Sequence, residues 1–294
     1  MMKNIKHYDV VLVEPKCSPG HIMLYKELIN GFFHGSKILF ISTSEYNCHF
    51  KGINVDFISI NCKTYKNKIS YRFNQFLFIG RLISIIKKVS YNKCFFLSYE
   101  NISISLFSYF INELHLFEHN NIDQVTSSKL KSLFYSITSI KTIHVTFEDY
   151  IGEYIRDTYG KNYMVVDHPH RKISCICSGV SPFNCNYVFC PSSDVSYEFL
   201  VKLANYCNEF SLLLVVKKPF DLEKYCDVYH SPYFDDYDEV FMGAKYIAVG
   251  VSFSYRVSGV FYEAIANEKK VIMNECLFSN VMKAKYSHAI EVIL

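Results

Sequence analysis

The sequence predicts an α/β protein made of two Rossmann-like, doubly wound domains that face a cleft. Three observations predict it. Apolar runs of four to six residues alternate with helical stretches along most of the chain, the pattern of parallel strands covered on both faces by crossover helices. The alternation breaks down between His170 and Asn186, around Gly179 and Pro182, and then restarts, which marks a domain boundary. The chain has 294 residues, 50% of them hydrophobic, enough for two cores at ~100–200 residues per domain. The expected organisation is an N-terminal Rossmann-like domain over 1–170, a linker over 171–186 and a C-terminal Rossmann-like domain over 187–294.

In the N-terminal half, the apolar run 10–13 is a buried strand stopped by Glu14-Pro15, with a loop to His21 and a helix over 22–33. Strands follow over 37–42 and 54–60, a long helix over 68–89, a strand over 94–97 and a helix over 102–111. The run 114–117 is a strand ending in the polar stretch Glu118-His119-Asn120-Asn121. A helix over 128–137, a strand over 142–146, a helix over 150–159 and a strand over 163–166 complete the half. The second half begins with a strand over 187–190 and a helix over 195–207, for which Asp194 is the expected N-cap. Strands over 211–216, 246–251 and 270–273 and helices over 235–243 and 260–267 follow, the strand at 270–273 being the last clear one.

Composition narrows the function class. Charged residues are 20% of the chain and net charge is +3, so the chain reads as globular. Its scattered basic residues argue against a nucleic-acid partner. Eleven cysteines, an odd number at irregular spacing, indicate reduced thiols and a cytoplasmic location. The first apolar run is too short for a signal peptide, and nothing approaches the ~20 apolar residues of a membrane span. His168, His170, Cys175 and Cys177 are zinc-ligand types, but H-x-H and C-x-C do not match the usual C-x2-4-C spacing. Chance clustering is favoured over the zinc alternative, and no metal and no cofactor is expected.

In an open parallel sheet, ligands gather outside the carboxyl ends of the strands, so the chemistry is sought there. The loop 252–259 links a strand to a helix. Backbone N–H groups at Ser258 and Gly259 suit a diphosphate at the helix N-terminus, Arg256 offers a bidentate charged contact, and Glu263 one turn on offers a carboxylate to ribose hydroxyls. An ordinary N-cap with a solvent-facing glutamate explains the same residues equally well. Lys217 and Lys218 end the strongest strand of this half and suit a phosphate as point charges. In the N-terminal half, His119 is the first candidate for a general base and Glu118 the second, with Gly20 and His21 on the acceptor side. Glu148-Asp149 is a further acidic pair, equally explained by a helix start. The segment 69–89, with Phe73, Phe76, Leu77, Ile83 and Ile86 at helical spacing before Lys87-Lys88, reads as a helix packed on the sheet that can also meet a membrane edge.

The stretch 238–248 (DEVFMGAKYIA) and the stretch 259–272 (GVFYEAIANEKKVI) resemble the helix, strand and donor helix of GT-B glycosyltransferases, especially bacterial enzymes that build capsule and O-antigen polysaccharides. Residues 117–120 and 143–155 resemble the strand-end histidine region of that family and the strand and helix after it. The resemblance implies transfer of a sugar, hexosyltransferase-like, from a nucleotide-diphosphate donor to a glycan or polyprenyl-linked acceptor, with contact to the inner membrane surface. It implies ribose binding by Glu263; phosphate binding is expected of Lys218, Arg256, Ser258 and Gly259 from their places at the strand ends and the helix start. Retaining members carry a second Glu eight residues before Glu263, where this chain has Tyr255. The alternatives are a nucleotide-sugar epimerase on the same scaffold and a non-catalytic partner subunit of a transferase.

Overall fold

Parallel pairing is the rule throughout the computed structural model of the chain, which describes residues 6–61, 68–173, 182–217 and 221–294. The chain divides into two units, Met1–Pro169 and His170–Leu294. The first runs β1 (His7–Val13), α1 (Ile22–Asn30), β2 (Ile38–Ser42), α2 (Ser44–Asn47), β3 (Val55–Ser59), α3 (Lys68–Ile86), β4 (Ser90–Phe96), α4 (Asn101–Phe107), β5 (Leu114–Phe117), α5 (Asn121–Thr126), α6 (Lys129–Ser136), β6 (Ile143–Thr146), α7 (Asp149–Tyr159) and β7 (Asn162–Val165). Its described strands form one parallel sheet in the order β3-β2-β1-β4-β5-β6-β7. The order reverses between β1 and β4, the switch point where such sheets open a crevice at their carboxyl edge.

The apolar runs explain the sheet. Val11 pairs in register with Leu39 on one side and Cys94 on the other, and all three are buried. Val11, Val13 and Phe96 share one core with Ile79, Leu82 and Ile86 of α3. A strand covered on both faces needs such continuous hydrophobicity rather than alternation.

The second unit runs β8 (Tyr187–Cys190), α8 (Tyr197–Glu209), β9 (Leu213–Val216), β10 (Val228–His230), α9 (Tyr237–Gly243), β11 (Tyr246–Val249), α10 (Gly259–Ala266), β12 (Lys270–Met273), α11 (Leu277–Lys285) and β13 (Ile290–Ile293). The sheet order is β10-β9-β8-β11-β12-β13, again parallel, with its switch point between β8 and β11. Leu200, Leu203 and Ala204 of α8 pack on Val188, Cys190 and Leu214.

The two doubly wound domains that the alternation predicts are therefore present, with several corrections to the elements. Residues 121–126, to which the sequence pattern assigns no element, form α5. β10, α11 and β13 were not expected. The N-cap of α8 is Ser196, whose hydroxyl accepts from the Phe199 N–H at 3.2 Å, and not Asp194. Cys175, Cys177 and Lys218 lie outside the described residues. Among the described residues, no helix is long and apolar enough to cross a membrane.

Candidate functional site

At the carboxyl edge of the first sheet, the loop after β1 is held by a buried carboxylate. Glu14 is fully buried, and its Oε1 accepts from the backbone N–H of Lys16 and of Cys17, both at 2.9 Å, and from the Ser98 hydroxyl beyond β4. The clamp fixes the path toward Gly20 and His21. A Cβ at Gly20 would meet nothing within 4 Å, so this glycine borders open space.

His21 Nδ1 lies 3.1 Å from the Tyr25 hydroxyl, which donates to the Leu97 carbonyl at 3.2 Å. The hydroxyl proton is thus committed to Leu97, and the His21 contact is satisfied when Nδ1 carries its own proton and donates. The His21 ring stacks on His119 with centroids 5.0 Å apart, and Phe147 packs on His119 and on His168. His119 Nε2 is enclosed without a hydrogen-bond partner. Burial, aided by neighbouring His21 and His168, holds the His119 imidazole well below its ordinary pKa, so it is neutral at pH 7.

Glu118 points the other way. Its Oε1 accepts from the Tyr99 hydroxyl at 2.7 Å, the Tyr135 hydroxyl at 3.2 Å and His144 Nδ1 at 2.6 Å. The Glu118 and His144 side chains have 0% exposure. Glu118 is thus enclosed in a cluster whose hydrogen bonds join the end of β5 to α6 and β6. Glu148 occupies the N-cap position of α7 without capping it through its side chain, and Asp149 stands in the first turn.

The second sheet assembles a different group. Ser258 is the N-cap of α10, its hydroxyl accepting from the Phe261 N–H at 3.3 Å. Ser258 is buried, while a Cβ at the exposed Gly259 would meet nothing within 4 Å. The helix thus starts beside open space with its N–H groups at the carboxyl edge. The loop before it is tied down: Asn274 donates to the Ser252 hydroxyl at 3.3 Å, and the Phe278 N–H donates to the Phe253 carbonyl at 3.2 Å. The Arg256 guanidinium lies 4.2 Å from the Phe253 ring centroid, close enough for cation–π attraction.

Glu263 sits one turn into α10, half-buried. Its Oε2 accepts from the Tyr237 hydroxyl at 3.0 Å, and Lys217 Nζ lies over the Tyr237 ring at 5.3 Å. Burial raises the Glu263 carboxyl pKa, opposed first by the Tyr237 hydrogen bond and then by Arg171. Arg171 is itself paired with Asp238. The structure therefore brings Lys217, Tyr237 and Glu263 together, and the lysine seen here is the neighbour of the predicted Lys218. Sequence reading missed Tyr237, because a partner 26 residues away leaves no local pattern. Among the described residues, no group of three His, Cys, Asp or Glu side chains is placed to hold a metal ion.

No protein-family model and no curated protein sequence matches the chain. Solved structures do. A glycosyltransferase from Rickettsia africae is 14% identical with a TM-score of 0.61, over 94% of this chain and 81% of that one. Arabidopsis thaliana UGT89C1, solved with UDP-L-rhamnose, is 10% identical with a TM-score of 0.63, over 97% of this chain and 85% of that one. Anabaena HepE, solved with UDP-glucose, is 9% identical with a TM-score of 0.62, over 94% and 83%. At such identities the likeness is one of fold: the chain has the GT-B architecture.

Proposed function

We propose that this protein is a glycosyltransferase that moves a sugar from a nucleotide-diphosphate sugar to a hydroxyl of a glycan or lipid-linked acceptor in surface polysaccharide synthesis. The observation that carries the reading is the carboxyl edge of the second sheet. There Glu263, steadied by Tyr237, stands one turn into a helix whose N-terminus opens beside Gly259, with Lys217 close by. Glu263 accepts hydrogen bonds from ribose hydroxyls. The α10 N-terminus at Ser258 and Gly259, with Arg256 and the Lys217-Lys218 pair, takes the diphosphate. These charges stabilise the leaving nucleoside diphosphate as its bond to the anomeric carbon breaks.

The acceptor oxygen forms the new bond to that carbon and must lose its proton. We assign this role to His21, whose Nδ1 lies against the Tyr25 hydroxyl that donates to the Leu97 carbonyl. His119 then serves as the neutral ring on which His21 stacks.

A lipid-linked acceptor and contact with the inner membrane face are supported by apolar side chains left in solvent on α3, α4 and α6 and their C-terminal extensions, among them Phe73, Phe110 and Leu133. That placement and the eleven cysteines fit a cytoplasmic protein peripheral to the membrane.

The test is a thermal-shift screen of the whole chain against UDP, GDP, CMP and dTDP sugars and the free nucleotides. A ligand that binds the folded state alone, at about 100 times its Kd, adds ~2.7 kcal/mol of stability. One nucleotide class is expected to raise the Tm. No rise with any compound would sink the donor site.

A further inference from the structure

A second site in the first unit lies outside the chemistry described so far. A cavity of about 240 Å³ opens at the carboxyl edge of the first sheet, at the N-terminal ends of α4, α5 and α6 and beside α3. Three cations line it: Lys16 after β1, Arg72 on α3 and Lys131 on α6. None has a carboxylate within ion-pair distance among the described residues; Lys131 Nζ donates instead to the neutral Gln124 Oε1 at 2.6 Å. Glu100 is the one acid in the lining, and its Oε2 accepts from the Ser103 N–H at 2.7 Å as the cap of α4. Within the lining the cations outnumber the acid by two; burial lowers the Lys16 pKa, and Glu14, Glu100 and Glu118 nearby oppose that.

Two buried amides border the same cavity, Asn101 and Asn121. Asn101 Nδ2 donates to the Lys131 carbonyl at 3.0 Å, whereas its Oδ1 is buried with no partner among the described residues. An enclosed carbonyl oxygen of this kind calls for a donor. Unpaired cations around a concave site call for an anion, and amides at its wall suit hydroxyl groups.

We infer that this cavity is a subsite for an acidic sugar unit of the acceptor: Lys16, Arg72 and Lys131 take a carboxylate or phosphate, and the amides of Asn101 and Asn121 take adjacent hydroxyls. The inference rests on the transferase reading for the word acceptor, and on the cavity alone for the acidic sugar. A carboxylate and a phosphate share the chemistry the cations recognise, so the source is separated by choice of probe.

The experiment is titration calorimetry on the whole chain with glucuronic acid, glucose 6-phosphate, glucose and inorganic phosphate. Either acidic sugar is expected to bind at least roughly tenfold more tightly than glucose, as expected for charge-assisted contacts. The tighter of the two identifies the anion. Inorganic phosphate is expected to bind more weakly than glucose 6-phosphate, because it does not engage the amides. Arg72→Ala with Lys131→Ala should remove the preference over glucose, and Lys131→Arg should keep it, with far-UV circular dichroism confirming that each variant is folded. Equal affinity of the double variant and the wild type for the acidic sugars, or equal affinity of the wild type for glucose and glucuronic acid together with glucose 6-phosphate, would overturn the inference. Binding of nucleotide sugars, read in the same samples, separates the two readings. Donor binding without acidic-sugar binding overturns this inference and leaves the transferase standing. Acidic-sugar binding without donor binding leaves the pocket standing and removes its assignment to an acceptor.

Discussion

Glu263 is a carboxylate held in surroundings that disfavour its charge. Burial raises its pKa, and the Tyr237 hydroxyl and the nearby cations offset part of that. For a carboxyl whose folded pKa is raised, the folded state binds the proton more tightly than the unfolded chain does. Stability therefore falls as pH rises from the ordinary carboxylate range through the raised pKa. Glu263→Gln removes that charge while keeping an oxygen for the Tyr237 hydroxyl. At pH 7 its Tm is expected to equal or exceed that of the wild type, and the difference should shrink in melts run at progressively lower pH. Donor affinity should meanwhile fall by ~1.5–3 kcal/mol, the worth of hydrogen bonds to a charged group. A variant that loses Tm and keeps donor affinity would make Glu263 a structural residue. The sequence made Glu263 visible because it follows a strand, a loop and Ser-Gly at a fixed short spacing. Tyr237 and the Glu118–Tyr99–Tyr135–His144 cluster were not visible, since their members come from separate elements and only the fold brings them together. His119 stood out as a polar residue at a strand end, but the same position also buries it against His21 and Phe147.

Elements were legible where one local signal decided them. The strands at 114–117, 187–190 and 270–273 have the bounds their apolar runs predict, because each run is closed at its end by residues that leave the sheet. Short or weakly marked elements were not. α5 begins within the polar stretch after β5 and is six residues long. β10 is three residues and mostly exposed. α11 is capped by the Cys276 thiol, which accepts from the Ser279 N–H, and cysteine is not among the residues that announce a helix start. The loop between β11 and α10 depends on an element contact that sequence does not announce. Gly250 follows β11, and a Cβ there would lie 2.2 Å from the Phe199 ring and 2.9 Å from Val195. Phe199 and Val195 are both buried, so the ring cannot swing aside without displacing the α8 core. Gly250→Ala is expected to cost ~1–3 kcal/mol through overpacking, read as a lower midpoint in urea unfolding. Because the same residue opens the loop that carries Arg256, the variant should also weaken donor binding. An unchanged midpoint would mean that α8 yields without cost and that the loop is not anchored there.

At the scale of the whole molecule, the charge balance is near neutral but the surface is uneven. Phe73, Tyr109, Phe110 and Leu133 are each more than half exposed. They come from neighbouring parts of the first unit: Phe76 of α3 packs on Phe107 of α4, and the Tyr109 hydroxyl donates to the Ile137 carbonyl just past α6. Lys87 Nζ lies over the Phe110 ring at 5.6 Å, and Arg81, Lys88, Lys129 and Lys131 occur on or beside the same helices. Aromatic and aliphatic side chains rimmed by lysine and arginine suit the interface of an anionic bilayer, where each basic residue contributes about 1 kcal/mol. The expected outcome is co-sedimentation with vesicles containing phosphatidylserine, and weaker co-sedimentation with phosphatidylcholine alone. Raising the salt to about 1 M shrinks the Debye length to ~3 Å, so the difference between the two lipids should vanish while a residual apolar component remains. Phe73→Asp with Leu133→Asp removes two insertable side chains, each worth ~1.5–3 kcal/mol when fully buried, and should lower the partition coefficient at least tenfold. Because both positions are exposed, the double variant should keep its Tm and its nucleotide-sugar binding. Retained donor binding with no vesicle binding by the wild type would place the acceptor in solution, and the acidic-sugar pocket would then serve a soluble glycan.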